Sequence, residues 1–369
     1  MDRCVTCILP SGLPDVVLDG ANVCNHCRSF SGARARHPVE SAEVRREQLE
    51  RILRTFRGRG VYDVLVPVSG GKDSMFVLYL LAKECGRKVL AYNFDNGFQS
   101  EQARLNIQRA VKTLDVELLV FKPSERRLLD LYRTFLLRAG EFCSPCNMMI
   151  GAAANRIALQ HGIRLIGIGG SSVRDSGLDG MSMSHYTDRR YYLNVIKGRI
   201  AYHDVRHYVN ASPVVNTLRR FLGLSPVDID VLDYVHPGTA AMKEILEREI
   251  GWQPPSEELE HGDCRLNPLK DYLMNRRWGF SETTGAYAAL VRIGEMTREE
   301  ALRRAEEEEI RREPEVLEEF LQKIGVTRAE FEATKDRHFS EFPNYGTSKL
   351  FKTAKSTLSQ FRRLAGTLS

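Results

Sequence analysis

The sequence predicts an α/β protein built on a doubly wound parallel sheet, with an N-terminal zinc ribbon and a helical C-terminal region. Three observations lead there. Short, nearly all-apolar runs alternate with amphipathic stretches from Asp63 to about Gly170. Two Cys-x-x-Cys pairs fall within residues 1–30. A glycine-rich turn, Ser69-Gly70-Gly71-Lys72-Asp73-Ser74, directly follows the first apolar run. Strands that are apolar on both faces belong to parallel sheets covered by helices on each side.

Residues 1–33 form the first unit. Cys4 and Cys7 are followed, after sixteen intervening residues, by Cys24 and Cys27. Two such knuckles supply four thiolates to tetrahedral zinc, and a unit this short needs a staple in place of a core. Four protein ligands leave no open position, so the ribbon is read as scaffold, with His26 at its surface. Residues 34–60 contain a charge-laced linker helix, PVESAEVRREQLERILRTFRG.

Residues 61–235 are the main domain. VLVPV leads through the glycine turn into the helix SMFVLYLLAKECG; KVLAYNF, EQARLNIQRAVKTL and VELLVFK follow as strand, helix and strand. After Cys143-Ser-Pro-Cys146, the helix NMMIGAAANRIALQHG precedes the strand IRLIGIGGS. Ligands of such sheets lie beyond the carboxyl ends of the strands. Ser69–Ser74, Asp95–Gly97 and Gly169–Ser172 all fall there. Residues 174–235 are mixed and rich in Tyr, Arg and Asp. Residues 236–333 read as helical, with a capping box at Thr297-x-x-Glu300 and supporting pairs Glu307–Arg311 and Glu308–Arg312 on a solvated face. Residues 334–369 are a basic, polar tail.

The composition sets outer bounds. The 369 residues are 43% hydrophobic and 27% charged, with a formal net charge of +5. That charge suits an anionic ligand such as a nucleotide, and equally a solvated basic surface. No run approaches the ~20 apolar residues of a membrane span, and MDRCVTC lacks a signal core, so a cytoplasmic location is expected. In that compartment eight cysteines point to metal or catalysis rather than disulfides.

The glycine turn is not a Walker loop, which separates its glycines by four residues. Adjacent Gly70 and Gly71 let the backbone approach an anion, and successive N–H groups at a helix start form a nest for phosphate. Ser69 and Ser74 add donors, Lys72 adds charge, and Asp73 can position Mg2+. Cys143 and Cys146 open a helix whose dipole is expected to lower their pKa. They form a redox dithiol or an inert pair, or with the distant Cys264 a second zinc site joined by His261, or with Cys264 a cluster site. Cys85 is expected to pack on its helix. His236, Lys270, Asp271, Arg276 and Arg277 either line an acceptor site or serve as caps and surface pairs. Trp278-Gly279-Phe280 reads as packing.

Ser69–Ser74 resembles the pyrophosphate loop of the N-type ATP pyrophosphatases, which include GMP synthetase, asparagine synthetase and the tRNA thiolases. The resemblance implies an adenine nucleotide α-hydrolase-like fold that uses ATP and Mg2+. Ser69, Gly70, Gly71, Lys72, Asp73 and Ser74 would grip the leaving pyrophosphate, and Asp95, Asn96 and Gly169 would lie around the nucleotide. The ribbon, the CxxC before a helix and the distant third cysteine resemble thiouridine synthetases, implying a 4Fe–4S cluster on Cys143, Cys146 and Cys264 with one iron open to sulfide.

HGDCRLNPLKDYLMNRRWGF and VRIGEMTREEAL, together with the ribbon, the loop and Phe142-Cys143-Ser-Pro-Cys146, resemble the N-acetyl sugar amidotransferases of surface-polysaccharide biosynthesis. That resemblance implies adenylation of an acetamido oxygen on a sugar nucleotide and its replacement by ammonia. No glutaminase nucleophile pattern is present, so a partner glutaminase would supply the ammonia. Lys72, Asp73, Cys143, Cys146 and Cys264 are the catalytic candidates. The alternative is the same activation followed by sulfur transfer from a sulfur donor to a small molecule or a tRNA base. The tRNA version lacks a second four-Cys ribbon and a strong basic patch. A homodimer is compatible with either. Where the amidotransferase pattern is expected to read Gly-Glu-Asn, this chain has Gly169-Gly170-Ser171-Ser172-Val173-Arg174-Asp175, so the family's acceptor does not carry over through that segment.

Overall fold

A computed structural model describes residues 2–13, 16–36, 40–171, 188–210, 215, 218–219, 222–255, 262–309 and 313–346. Expectations on Ser172–Asp175, on His261, on the Glu307–Arg311 and Glu308–Arg312 pairs and on the tail past residue 346 fall at least partly outside the described residues.

The sheet has five parallel strands, β1 (Val64–Pro67), β2 (Val89–Phe94), β3 (Glu117–Phe121), β4 (Leu165–Ile168) and β5 (Val227–Asp230), in the order β3-β2-β1-β4-β5. Register is set by pairs such as Val64 with Val89, Leu90 with Glu117 and Ile166 with Asp228. Side chains alternate across the pleat, and each face of β1 enters its own core. Val64 and Val66 pack with Phe76, Ile107, Leu246 and Trp252. These come from α3 (Lys72–Tyr79), α4 (Glu101–Leu114), helix Thr239–Ile250 and the residue just beyond it. On the other face Leu65 meets Ala154, Ile157 and Ile166, under α6 (Cys143–Gln160). The sheet is therefore doubly wound. The chain moves from β1 toward β2 and β3, then returns to place β4 on the opposite side of β1, so the loops at the carboxyl ends of β1 and β4 diverge around a crevice.

Three local outcomes differ from the sequence reading. The strand β5 was not expected, because Val-Asp-Ile-Asp has only two apolar residues and sits at the sheet edge, where polar side chains are tolerated. At Thr297 half the capping box forms: Glu300 N–H donates to Thr297 Oγ1 (3.2 Å), but the Glu300 carboxylate is taken by Arg303 and Arg304 (2.8 and 2.6 Å). A complete box forms instead at Thr327 and Glu330. The first helix, Asn25–Arg36, runs past the boundary expected at residue 33.

The C-terminal helices share cores with what precedes them. Phe320, from helix Val316–Ile324, stacks near Phe98, Tyr132 and Phe142, with ring centroids 5.8, 5.8 and 4.9 Å away. The ribbon cysteines are buried in one cluster with Met274, Phe280, Tyr287, Ala288, Ala301 and Ala305. Ribbon and C-terminal region thus cover each other's apolar surface. Among the described residues no helix is long and apolar enough to cross a membrane.

Phe320→Ala removes the fully buried ring on which the loop after β2, α5 (Glu125–Ala139) and the start of α6 converge. It is expected to cost about 3–5 kcal/mol, read as a lower urea midpoint. An unchanged midpoint would show that the helix Val316–Ile324 is dispensable to this core.

Candidate active site and metal centre

The glycine turn lies where the sheet topology requires, between β1 and α3. Gly70 has φ +89°, and a Cβ there would sit 2.3 Å from the Ala103 carbonyl oxygen. Only glycine accommodates both the positive φ and that approach. Ser69 N–H donates to Ser74 Oγ (3.1 Å), the two hydroxyls lie 3.1 Å apart, and Ser74 Oγ donates to Gly71 O (3.1 Å). The Gly70 carbonyl is held by Asn106 Nδ2 (3.1 Å) and Trp252 Nε1 (3.0 Å). Gln99 Nε2 holds the Ser69 carbonyl (2.8 Å). These side chains take up the loop's carbonyls, as an anion nest requires if its N–H groups are to face a ligand. Asn106, Trp252 and Gln99 were missed from sequence, since nothing local marks a distant amide or indole as a loop support.

Lys72 is 7% exposed, and its Nζ donates to Asp73 Oδ2 (3.1 Å). Asp73 Oδ1 is buried with no partner. A carboxylate oxygen left in this state fits a divalent cation brought with a pyrophosphate. Gly169, at the end of β4, approaches so closely that a Cβ would lie 3.0 Å from Ser74 N. Asp95 closes its own turn by accepting from Gly97 N–H (2.9 Å), and Lys122 lies 3.5 Å away.

From this loop a cavity of about 310 Å³ extends to the three cysteines. Ser69, Ser74, Asn96, Cys143, Cys146 and Cys264 are on its wall, together with Asp263, Lys270 and Glu282. Cys264 is brought there by a short antiparallel pairing: Ser100 N–H donates to Asp263 O (2.9 Å) and Arg265 N–H to Phe98 O (2.8 Å), flanking a Gln99–Cys264 bridge. Asn96 turns its amide to the sulfurs, with Nδ2 at 3.8 Å from Cys146 and 3.6 Å from Cys264. The expected low thiol pKa is corrected. Burial pushes all three thiols up, Cys146 to about 12, because desolvation outweighs the helix dipole.

Of the other polar candidates, Lys270 alone reaches this cavity, ion-paired with Glu282. Burial opposes the Lys270 charge, but Glu282 and Asp271 hold it above the ordinary lysine range. Asp271 accepts from the Thr283 hydroxyl (2.6 Å), and Arg276 pairs with Asp336 (2.5 Å) at the surface. His236 Nδ1 lies 3.8 Å from Glu295. Cys85 packs against the α3 core.

In the ribbon, the four sulfurs lie within 4.8 Å of one another, with Cys4–Cys27 at 3.9 Å and Cys7–Cys24 at 3.8 Å. Tetrahedral zinc with bonds of about 2.3 Å separates its sulfurs by about 3.8 Å, so the donor set fits that ion. Backbone N–H groups of Cys24 and Cys27 donate to the sulfurs of Cys4 (3.2 Å) and Cys24 (3.3 Å), which suits thiolates. Among the described residues this is the one group that gathers so tightly. The sulfurs of Cys143, Cys146 and Cys264 do not all lie within 4.8 Å of one another.

Residues 257–358 match the family described as LPS biosynthesis protein WbpG-like, C-terminal domain. This domain carries Asp263, Cys264, Lys270 and Glu282. An uncharacterised protein of Methanocaldococcus jannaschii is 23% identical over 165 residues, covering 44% of this chain and 57% of that protein. A glutamine-hydrolysing GMP synthase of Dictyostelium discoideum is 40% identical over 63 residues, 17% of this chain and 9% of that enzyme. The chain thus matches less than two thirds of the length of either curated relative. Among solved structures, the U34-tRNA thiolase NcsA of Methanococcus maripaludis with its 4Fe–4S cluster aligns over 86% of this chain and 91% of its own, at TM-score 0.35 and 16% identity.

Two outcomes are expected from this geometry. Gly70→Ala should lower stability by about 1–3 kcal/mol from backbone strain and weaken nucleotide binding, both measurable by thermal unfolding with and without ATP. Purified protein should carry about one zinc per chain, lost together with thermal stability in Cys24→Ser. Full stability in metal-free protein would remove zinc from the ribbon.

Proposed function

We propose that this chain is an ATP-dependent, AMP- and pyrophosphate-forming amidotransferase acting on an acetamido sugar nucleotide of surface-polysaccharide synthesis. The observation that carries the reading is the single cavity joining the phosphate loop to a wall supplied by the WbpG-like domain. An N-type loop at the topological switch point suits pyrophosphate as leaving group, and the family of that domain supports the substrate class.

The amide oxygen attacks the α-phosphorus of ATP, forming a P–O bond as pyrophosphate leaves. Ser69, Gly71 and Ser74 hold the leaving group, and Asp73 with Lys72 meets its charge and its Mg2+. Ammonia from a partner glutaminase then attacks the activated carbon. AMP departs with the former amide oxygen, and loss of a proton leaves the amidine.

The three cysteines favour a second reading, in which sulfur replaces the oxygen. Held by Cys143, Cys146 and Cys264, an iron–sulfur cluster would supply an open iron for sulfide. The two readings separate on one assay: a UDP-linked N-acetyl sugar incubated with ATP and either ammonium or sulfide, with the product mass recorded.

Asp73→Asn is expected to reduce pyrophosphate release by at least about a hundredfold, of the order of one lost charge contact in a transition state, with an unchanged melting temperature. Wild-type rates in that variant would remove Asp73 from the mechanism. Protein prepared without oxygen should be brown, and Cys143→Ala, Cys146→Ala and Cys264→Ala should each bleach it while Cys85→Ala does not. A colourless wild type containing two zinc ions per chain would replace the cluster with a second zinc site.

A further inference from the structure

Behind Cys143 lies a second cavity of about 20 Å³, lined by Gly140, Glu141, Cys143, Lys270, Arg277 and Trp278 among others. It shares Phe142, Cys143 and Lys270 with the larger cavity, so one thin wall separates them. The volume holds one water-sized species.

Arg277 is the unusual group here. It is 3% exposed. Its Nη2 donates to Thr334 O (3.2 Å), and its guanidinium lies 5.1 Å from the Phe342 ring. Its Nε and Nη1 are buried without a partner. Nη1 reaches the cavity wall, since a Cβ on Gly140 would lie 3.0 Å from it. Among the described residues no carboxylate lies within ion-pair distance of it, although Glu141 and Asp336 act on its charge from farther away. Glu141 is engaged elsewhere, accepting from Ser144 N–H (3.0 Å) and the Tyr191 hydroxyl (3.2 Å). A second cation, Arg337, stands over the same Phe342 ring at 4.5 Å.

A guanidinium stays charged and has donors only. Water could accept its free N–H groups but would add no counter-charge to that of Glu141, which acts on the guanidinium from the same cavity wall without a hydrogen bond to it, and a buried cation short of partners is disfavoured. Sulfate, phosphate or a carboxylate exceeds the space. We propose that this cavity binds one small monoanion, of the halide and hydrosulfide class, on Nε and Nη1 of Arg277. The site needs neither ATP nor acceptor and stands apart from the choice between nitrogen and sulfur transfer. A hydrosulfide held there would rest against the wall of the reaction cavity, whereas a chloride would serve as a fixed counterion.

The test uses halide-free full-length protein. Sodium bromide, against sodium gluconate at equal ionic strength, should raise the melting temperature saturably, and the rise should vanish in Arg277→Met. Bromide-soaked crystals should give an anomalous peak beside Arg277, which decides the matter on wild-type protein if the variant does not fold. Anaerobic sodium hydrosulfide that displaces bromide identifies a reactant anion; displacement by chloride alone identifies a counterion. Absence of both a saturable bromide effect and an anomalous peak in the wild type overturns the proposal.

Discussion

One residue in the loop between β2 and α4, Gln99, ties the two halves of the site together. Its backbone pairs with Cys264, and its side chain holds the Ser69 carbonyl at 2.8 Å. The phosphate loop and the C-terminal wall are therefore positioned against the same few atoms. Closing so long a stretch of chain costs entropy that grows only slowly with length. The aromatic cluster of Phe98, Tyr132, Phe142 and Phe320 offsets it by burying rings contributed by both parts. Two backbone hydrogen bonds, the Asn96 amide on Cys264 and the Arg265–Glu319 ion pair fasten the Asp263–Arg265 segment beside that cluster.

The loop itself shows the same dependence on distant support. Its φ-positive glycine creates the shape, but the shape persists because Asn106 and Trp252 occupy the Gly70 carbonyl. Asn106 is fully buried, and its Oδ1 accepts from Gln253 N–H (3.1 Å). The segment after helix Thr239–Ile250 is thereby fastened to the loop. A preorganised nest needs no rearrangement when charge arrives, which is where such sites obtain their effect.

Charge is unevenly distributed around the cysteines. Lys270 is half-buried against Glu282, Asp271 accepts from Thr283 at Oδ2 while its Oδ1 is buried without a partner, and Glu141 caps the start of α6 through Ser144 N–H. Arg277 alone among these named groups keeps buried donors without acceptors. In a low-dielectric interior such an imbalance is costly unless a mobile species corrects it. The thiols respond to the same environment, being held protonated by burial until a metal or another electrophile competes for them.

Much was legible in the sequence, for reasons of range. The parallel sheet followed from apolar runs between amphipathic helices, the loop from adjacent glycines after a strand, and the ribbon from two Cys-x-x-Cys pairs, all encoded within a few residues of one another. The edge strand β5 was not, since two aspartates in four residues carry no strand period. Nor could periodicity reveal that Gln99 meets Cys264, that Trp252 supports Gly70, or that Arg277 faces a cavity, because each depends on packing between segments remote in the chain. The dipole argument for Cys143 and Cys146 failed similarly: helix position is local, whereas burial, which outweighs it, is decided by everything folded around it. The sequence by itself determined the elements and the chemistry-bearing residues; tertiary structure alone decided which of them share a cavity, and with what charge.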